Sequence, residues 1–191
     1  MLKKFLFLTL LVMFFVPAVT HAVEIPDVTA GKKHFDFSSG CWVLTDNVYV
    51  HWNKRELTIR ADYAKAQMGS QKVWARGNIT LEWQKLVFKC DNIFVKGKEK
   101  LVDILGSVDF EQEGVVKITS NVAQYSWSNK IADFYGNVKF TAQQVNVAEV
   151  LKLSNGTYEH VQYDVKSQTI LALDKKYKPI PSEMSEPEPQ D

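Results

Sequence analysis

Gly77-Asn-Ile-Thr-Leu81, Gly106-Ser-Val-Asp-Phe110 and Gly136-Asn-Val-Lys-Phe140 share one pattern: Gly, small polar, β-branched, polar, large apolar. Asp46-Asn-Val-Tyr-Val50 repeats it with Asp in place of Gly. The four anchors are 31, 29 and 30 residues apart. Polar breaks keep step with them. Asn53, Gln84, Glu113 and Gln143 each fall seven residues after an anchor, and Gly40, Gly69, Gly97 and Asn129 mark a second break before the next one. Self-similarity at a fixed period of this size is the signature of a repeat architecture.

Within a copy the apolar period is two. Val48, Val50 and Trp52 alternate with Asn47, Tyr49 and His51, followed in later copies by Ile79, Leu81 and Trp83, by Val108 and Phe110, and by Val138 and Phe140. The same parity runs upstream through Trp42 and Leu44, Val73 and Ala75, Val102 and Ile104, and Ala132 and Phe134. After each turn a second run begins: Leu57-Ile59-Ala61-Tyr63, Leu86-Phe88-Cys90, and Val116-Ile118-Ser120-Val122. Alternation over such lengths means strands with one buried face. The unit is therefore two long antiparallel strands, the first bent at its Gly or Asp, residues that tolerate conformations others avoid. A parallel β-helix and an antiparallel roll could both use this pattern. Hairpin-sized breaks at Asn53-Lys54, Gln84-Lys85 and Glu113-Gly114 favour the roll. The fold class expected is all-β, an antiparallel folded-over sheet of about four thirty-residue repeats. The last copy fits loosely over Ala148 to Asn155 and Tyr158 to Leu173, as expected of a cap or of an end that meets a partner.

The flanks are different material. Lys3 and Lys4 precede an apolar run from Phe5 to Val16, broken by Pro17, and Thr20-His21-Ala22 offers small residues for cleavage. Residues 1–22 are expected to be a cleaved export signal, the run being short of the roughly 20 residues a membrane-spanning helix needs. Residues 23–175 would form the β domain, and 176–191, rich in Pro and Glu, a disordered tail. The 191-residue chain has 23 Lys and Arg against 22 Asp and Glu. That balance argues against a nucleic-acid partner. No Gly-Lys-Ser phosphate loop, Gly-x-Ser-x-Gly elbow or His-Glu-x-x-His helix occurs. Neither enzyme activity, a cofactor nor a metal is expected. His34, His51 and His160 lack a second ligand at metal spacing and read as surface residues. Asp62 and Asp91 recur at one repeat position that Asn121 also takes, which reads as structural. Lys85, Lys89, Lys96, Lys98 and Lys100 read as a basic cluster on one hairpin, whose commoner explanation is a solvated face. Two cysteines in an exported chain invite a Cys41–Cys90 disulfide. Parity opposes it, since Cys90 continues the inward face and Cys41 the outward one.

The Gly-Asn-Val/Ile-x-Leu/Phe strands, each followed by a strand ending in a small residue plus Asp or Asn, resemble the LptA/OstA family of periplasmic lipopolysaccharide-transport proteins. The second element stands here as Ile59-Arg-Ala-Asp62, Phe88-Lys-Cys-Asp91 and Ile118-Thr-Ser-Asn121. The likeness covers roughly residues 30–145. It implies a β-jellyroll open at both ends whose apolar inner face holds the acyl chains of lipid A. It also implies a periplasmic location and edge-strand pairing with homologous β-roll domains, including head-to-tail copies of the chain itself. The groove candidates are then Val48, Val50, Trp52, Leu57, Ile59, Ile79, Leu81, Trp83, Leu86, Phe88, Val108, Phe110, Val116, Ile118, Val138 and Phe140. The residues alone leave a rival open, a structural or adhesive β-repeat with a dry core, because burial by itself accounts for such side chains. A membrane-anchored LptC-like export component is the other alternative.

Overall fold

The computed structural model describes residues 27–53, 56–67, 69–142, 146–147 and 157–172. The expected signal at 1–22, the tail at 176–191 and the stretch Ala148 to Asn155 lie outside these. Twelve strands form one sheet: β1 (Asp27–Thr29), β2 (Lys32–Asp36), β3 (Cys41–Trp52), β4 (Leu57–Gln67), β5 (Lys72–Trp83), β6 (Leu86–Lys96), β7 (Leu101–Gln112), β8 (Val116–Ser126), β9 (Ile131–Ala142), β10 (Asn146–Val147), β11 (Tyr158–Asp164) and β12 (Thr169–Ala172). From β3 to β9 each strand pairs antiparallel with the next, and β11 and β12 extend the series. Both β1 and β2 pair with β3, leaving an edge there, and a parallel β10–β12 pair ends the far side. The sheet does not close on itself.

The bend expected at each anchor is a two-residue bulge. Register shifts by one residue between Thr45 and Val48, Arg76 and Ile79, and Leu105 and Val108. Both residues of every anchor are left-handed: φ is 65° and 58° at Asp46 and Asn47, 77° and 46° at Gly77 and Asn78, 75° and 45° at Gly106 and Ser107, and 71° and 52° at Gly136 and Asn137. Gly, Asn and Asp enter this region at least cost, which explains both letters of the motif. The recurring acidic or amide position is the counterpart. Asp62 sits opposite Gly77 with a carboxylate that accepts from Asn78 Nδ2 at 2.7 Å. A Cβ on Gly77 would fall 2.9 Å from that of Asp62, and Asp91 crowds Gly106 in the same way. Asp62, Asp91 and Asn121 are thus packing partners of the glycine bulges, as the repeat implied.

The bulges align across the sheet and crease it into two leaves. The first carries the turns at Asn53, Gln84 and Glu113, and the second the turns near Gly69, Gly97 and Asn129. Because the extra residue is on the odd strands, facing changes parity on the even ones. Ala64 and Ala123 take the inner face at 4% and 0% exposure, whereas Tyr63 and Val122, expected to face inward, lie on the other side. The leaves meet face to face. Phe110 of the first packs on Phe134 and Tyr163 of the second, with ring centroids 5.4 and 5.8 Å apart. One contiguous core results, running from Leu44 to Ile170.

Candidate functional site

All sixteen groove candidates lie on the inner face. Val48, Ile59, Ile79, Leu81, Leu86, Phe88, Val108, Phe110, Val116, Ile118 and Val138 are buried, while Val50, Trp52, Leu57, Trp83 and Phe140 are half-buried around them. The middle is filled by rings: Phe88 packs on Phe110 at 4.6 Å and on Tyr125 at 5.8 Å. Burying each such side chain contributes about 1.5–3 kcal/mol. What the inner face can do chemically is take up apolar surface. Two of its polar insertions are informative. Tyr163 donates to Gln112 Oε1 across the leaves at 2.5 Å. Tyr125 is 2% exposed and its hydroxyl has no hydrogen-bond partner. Burial pushes the Tyr163 phenol up to about 12 and that of Tyr125 upward too, so both stay protonated donors.

The two leaves cross with an offset. Trp83 of β5 reaches Tyr125 of β8, at 5.8 Å, and Gln112 of β7 reaches Tyr163 of β11. A leaf displaced by three strands overhangs its partner at the end of the sheet. Hence the second-leaf side chains of β2 and β3 have no roof. Trp42 is 46% exposed and Phe35 36% exposed, stacked edge-on at 5.4 Å, and Phe37 beside them is 89% exposed. At the far end Phe140 stacks on Tyr158 at 5.5 Å. The roll is therefore apolar-lined at its first mouth, on side chains that the groove set omitted. Trp42 lay in the upstream alternating run, and Phe35 precedes the first anchor, outside any repeat.

The outer face carries a polar ladder that alternation did not reveal. Asp103, fully buried, pairs with Lys96 at 2.9 Å and accepts from Gln124 at 2.7 Å. Asp133 accepts from His160 Nε2 at 2.9 Å and Gln162 at 3.0 Å, while His160 stacks on Tyr135. His160 is thus buried rather than superficial, because β11 lies beside β9 and brings it over Tyr135. Lys96 is spent on Asp103, and Lys85 and Lys98 sit at opposite tips of β6, so the lysine cluster does not assemble. Lys65 reaches Asp36 at 3.6 Å, and Asp36 also caps the β2–β3 turn through Ser38 and Ser39, which holds its carboxyl well below the usual range.

The Cys41–Cys90 bridge is not made. Both are buried free thiols. Cys41 opens β3 on the outer face, its Sγ 3.3 Å from the Ser39 carbonyl, whereas Cys90 is an inner-face residue of β6, three strands further on. Opposite faces put a bridge out of reach. Burial, with Asp91 adjacent, pushes the Cys90 thiol up to about 12. Among the described residues no group of His, Cys, Asp and Glu is placed to hold a metal ion.

No protein-family model and no curated protein matches the chain. Among solved structures, it is similar to LptH, the LptA-homologous periplasmic component of the conserved lipopolysaccharide transport device from Pseudomonas aeruginosa. The TM-score is 0.53 at 16% identity, over 72% of this chain and 92% of that one. The shared architecture is the open antiparallel sheet folded on its own apolar face. The chain has an LptA-like β-jellyroll fold.

Proposed function

We propose that this chain is a periplasmic lipid carrier, which holds the acyl part of a lipopolysaccharide-type lipid between its leaves during transport between the membranes. The observation that carries the reading is the predominantly apolar interior of an unclosed sheet, leading to an exposed aromatic mouth at Phe35 and Trp42. The fold likeness supports it. Binding is passive: acyl chains leave water for apolar surface, and the free energy is that of burial. Work along a transport route comes from elsewhere, since nothing in the sequence reads as a nucleotide site. Neighbouring β-roll domains, including further copies of the chain, would add strands at the β1–β2 edge and at the β10–β12 end. Export through a cleaved signal at residues 1–22 belongs to the same reading.

The test is photo-crosslinking in cells. A crosslinking residue at Trp42, Trp52 or Phe88 is expected to yield lipopolysaccharide adducts, and one at Tyr49 or Lys117 on the outer face none. Equal labelling of both faces, or none on either, overturns the reading. One observation favours the rival, a structural β-repeat with a dry core: Phe110, Ile118 and Phe134 are fully buried by other side chains. On that reading no lipid co-purifies and apolar probes stay outside.

A further inference from the structure

Trp74 of β5 and Phe94 of β6 are as buried as core residues, at 8% and 0% exposure, yet neither belongs to the core. Their neighbours Ala75 and Ile93 face inward, so alternation turns both rings to the outer face of the second leaf. There the rings stack with centroids 5.1 Å apart, and the ammonium groups of Lys72 and Lys96 lie over Phe94 at 5.8 and 5.4 Å. Beside them runs the last register row before the bulges: Tyr63 opposite Arg76, Arg76 opposite Asn92, and Asn92 opposite Leu105. Bulges bend and twist the strands that carry them. Next to the crease the outer face hollows into a cavity of about 300 Å³, walled by these two rows. Its polar lining is rich in donors. Arg76, exposed, stands with Cζ 4.2 Å from the centroid of the Tyr63 ring, and Asn92 offers an amide. The indole N–H of Trp74 is buried and has no acceptor. A buried donor left unpaired costs free energy that a ligand oxygen would recover.

We propose that this outer-face cavity binds a small aromatic carboxylate, its flat ring against Tyr63 and Leu105 and its carboxylate on Arg76 and the Trp74 indole N–H. A guanidinium carries its donors in a planar fork that fits the two oxygens of a carboxylate, a pairing stronger than a neutral hydrogen bond. The charge of the wall favours an acid. Arg76 lines it and Lys72 stands at its margin, while Asp103, opposite Phe94, is already paired with Lys96. Lys72 lies over the Trp74–Phe94 stack on a flexible stem, so a change of rotamer moves it aside as the ligand seats. The volume is at the small end for ligand pockets and suits a body of one or two rings. The site is on the opposite face of the sheet from the groove and does not rest on the carrier reading.

The experiment titrates the full chain with 2-naphthoate and with 2-naphthamide, equal in rings and different in charge, by calorimetry. The acid is expected to bind about tenfold more tightly than the amide. Arg76→Gln should erase that preference, and Trp74→Phe, which keeps a ring and removes the N–H, should weaken the acid several-fold. Arg60→Gln, which alters an arginine held over Tyr49 on the outer face of the other leaf, should change nothing. Circular dichroism confirms that each variant is folded. Nitrogen–proton NMR supplies a second readout. Among the five tryptophan indoles, the resonance missing from Trp74→Phe should move downfield as naphthoate is added. Equal affinity for acid and amide, a preference that survives Arg76→Gln, or an unmoved Trp74 indole overturns the site. No binding of either probe overturns it too, and in every case the carrier reading is left standing.

Discussion

Single residues here act mainly through backbone conformation and through what a buried atom can reach. Gly106, at φ 75° against Asp91, has room for no Cβ. Gly106→Ala should destabilise the chain by about 1–3 kcal/mol, read from the urea midpoint, through left-handed strain and the clash together. Tyr163→Phe strands Gln112 inside the core and should cost about 1–3 kcal/mol by the same measurement. The thiols make a chemical prediction. Native protein should resist alkylation at neutral pH, Cys90 because its folded pKa is raised from 9.0 to about 12, and denatured protein should yield two modified cysteines by mass spectrometry. A raised pKa means that this contribution is present below pH 9.0 and is lost as pH climbs towards about 12. Asp36 has the opposite sign. Its depressed pKa stabilises the β2–β3 turn above the ordinary carboxylate range, and the contribution fades as pH falls below it. Turn amide shifts followed by NMR from pH 6 down to 2 should begin to move only at the acid end of that range.

At the scale of the strand, alternation and its interruptions govern what a substitution does. On β8, Ile118 faces the core and Thr119 does not. Ile118→Ala should therefore cost about 2–5 kcal/mol, and Thr119→Ala less than about 1 kcal/mol, compared by thermal unfolding. Equal costs would mean that the register across Asn121 is wrong. The odd strands were legible in the sequence because their inward parity survives the bulge: Leu44 and Val48, like Ala75 and Ile79, are even-numbered steps apart and both face in. The even strands were not. Ala61 and Ala64 both face in, three residues apart, because Asp62 and Tyr63 answer three residues of β3. A period-two reading of β4 alone has no way to know that its neighbour carries the extra residue.

For the whole molecule, the β1–β2 edge and the exposed Phe35, Phe37 and Trp42 beside it are, on the proposed carrier reading, where a second β-roll would join. Phe37→Asp with Trp42→Asp should abolish concentration-dependent assembly in sedimentation while lowering the melting temperature by no more than a few degrees, since neither side chain belongs to the core. Unchanged assembly would place the joining surface elsewhere. The sequence by itself determined the repeat, the long strands, the bend at each anchor and the apolar face of the odd strands, because all of these depend on neighbours within about thirty residues. Only the tertiary structure decided how the leaves cross, which leaves Trp42 without a roof, sets Lys130 on Trp83, and buries His160 beside Asp133. Those contacts join residues from separate repeats, and no local periodicity encodes the offset at which two creased leaves come to rest.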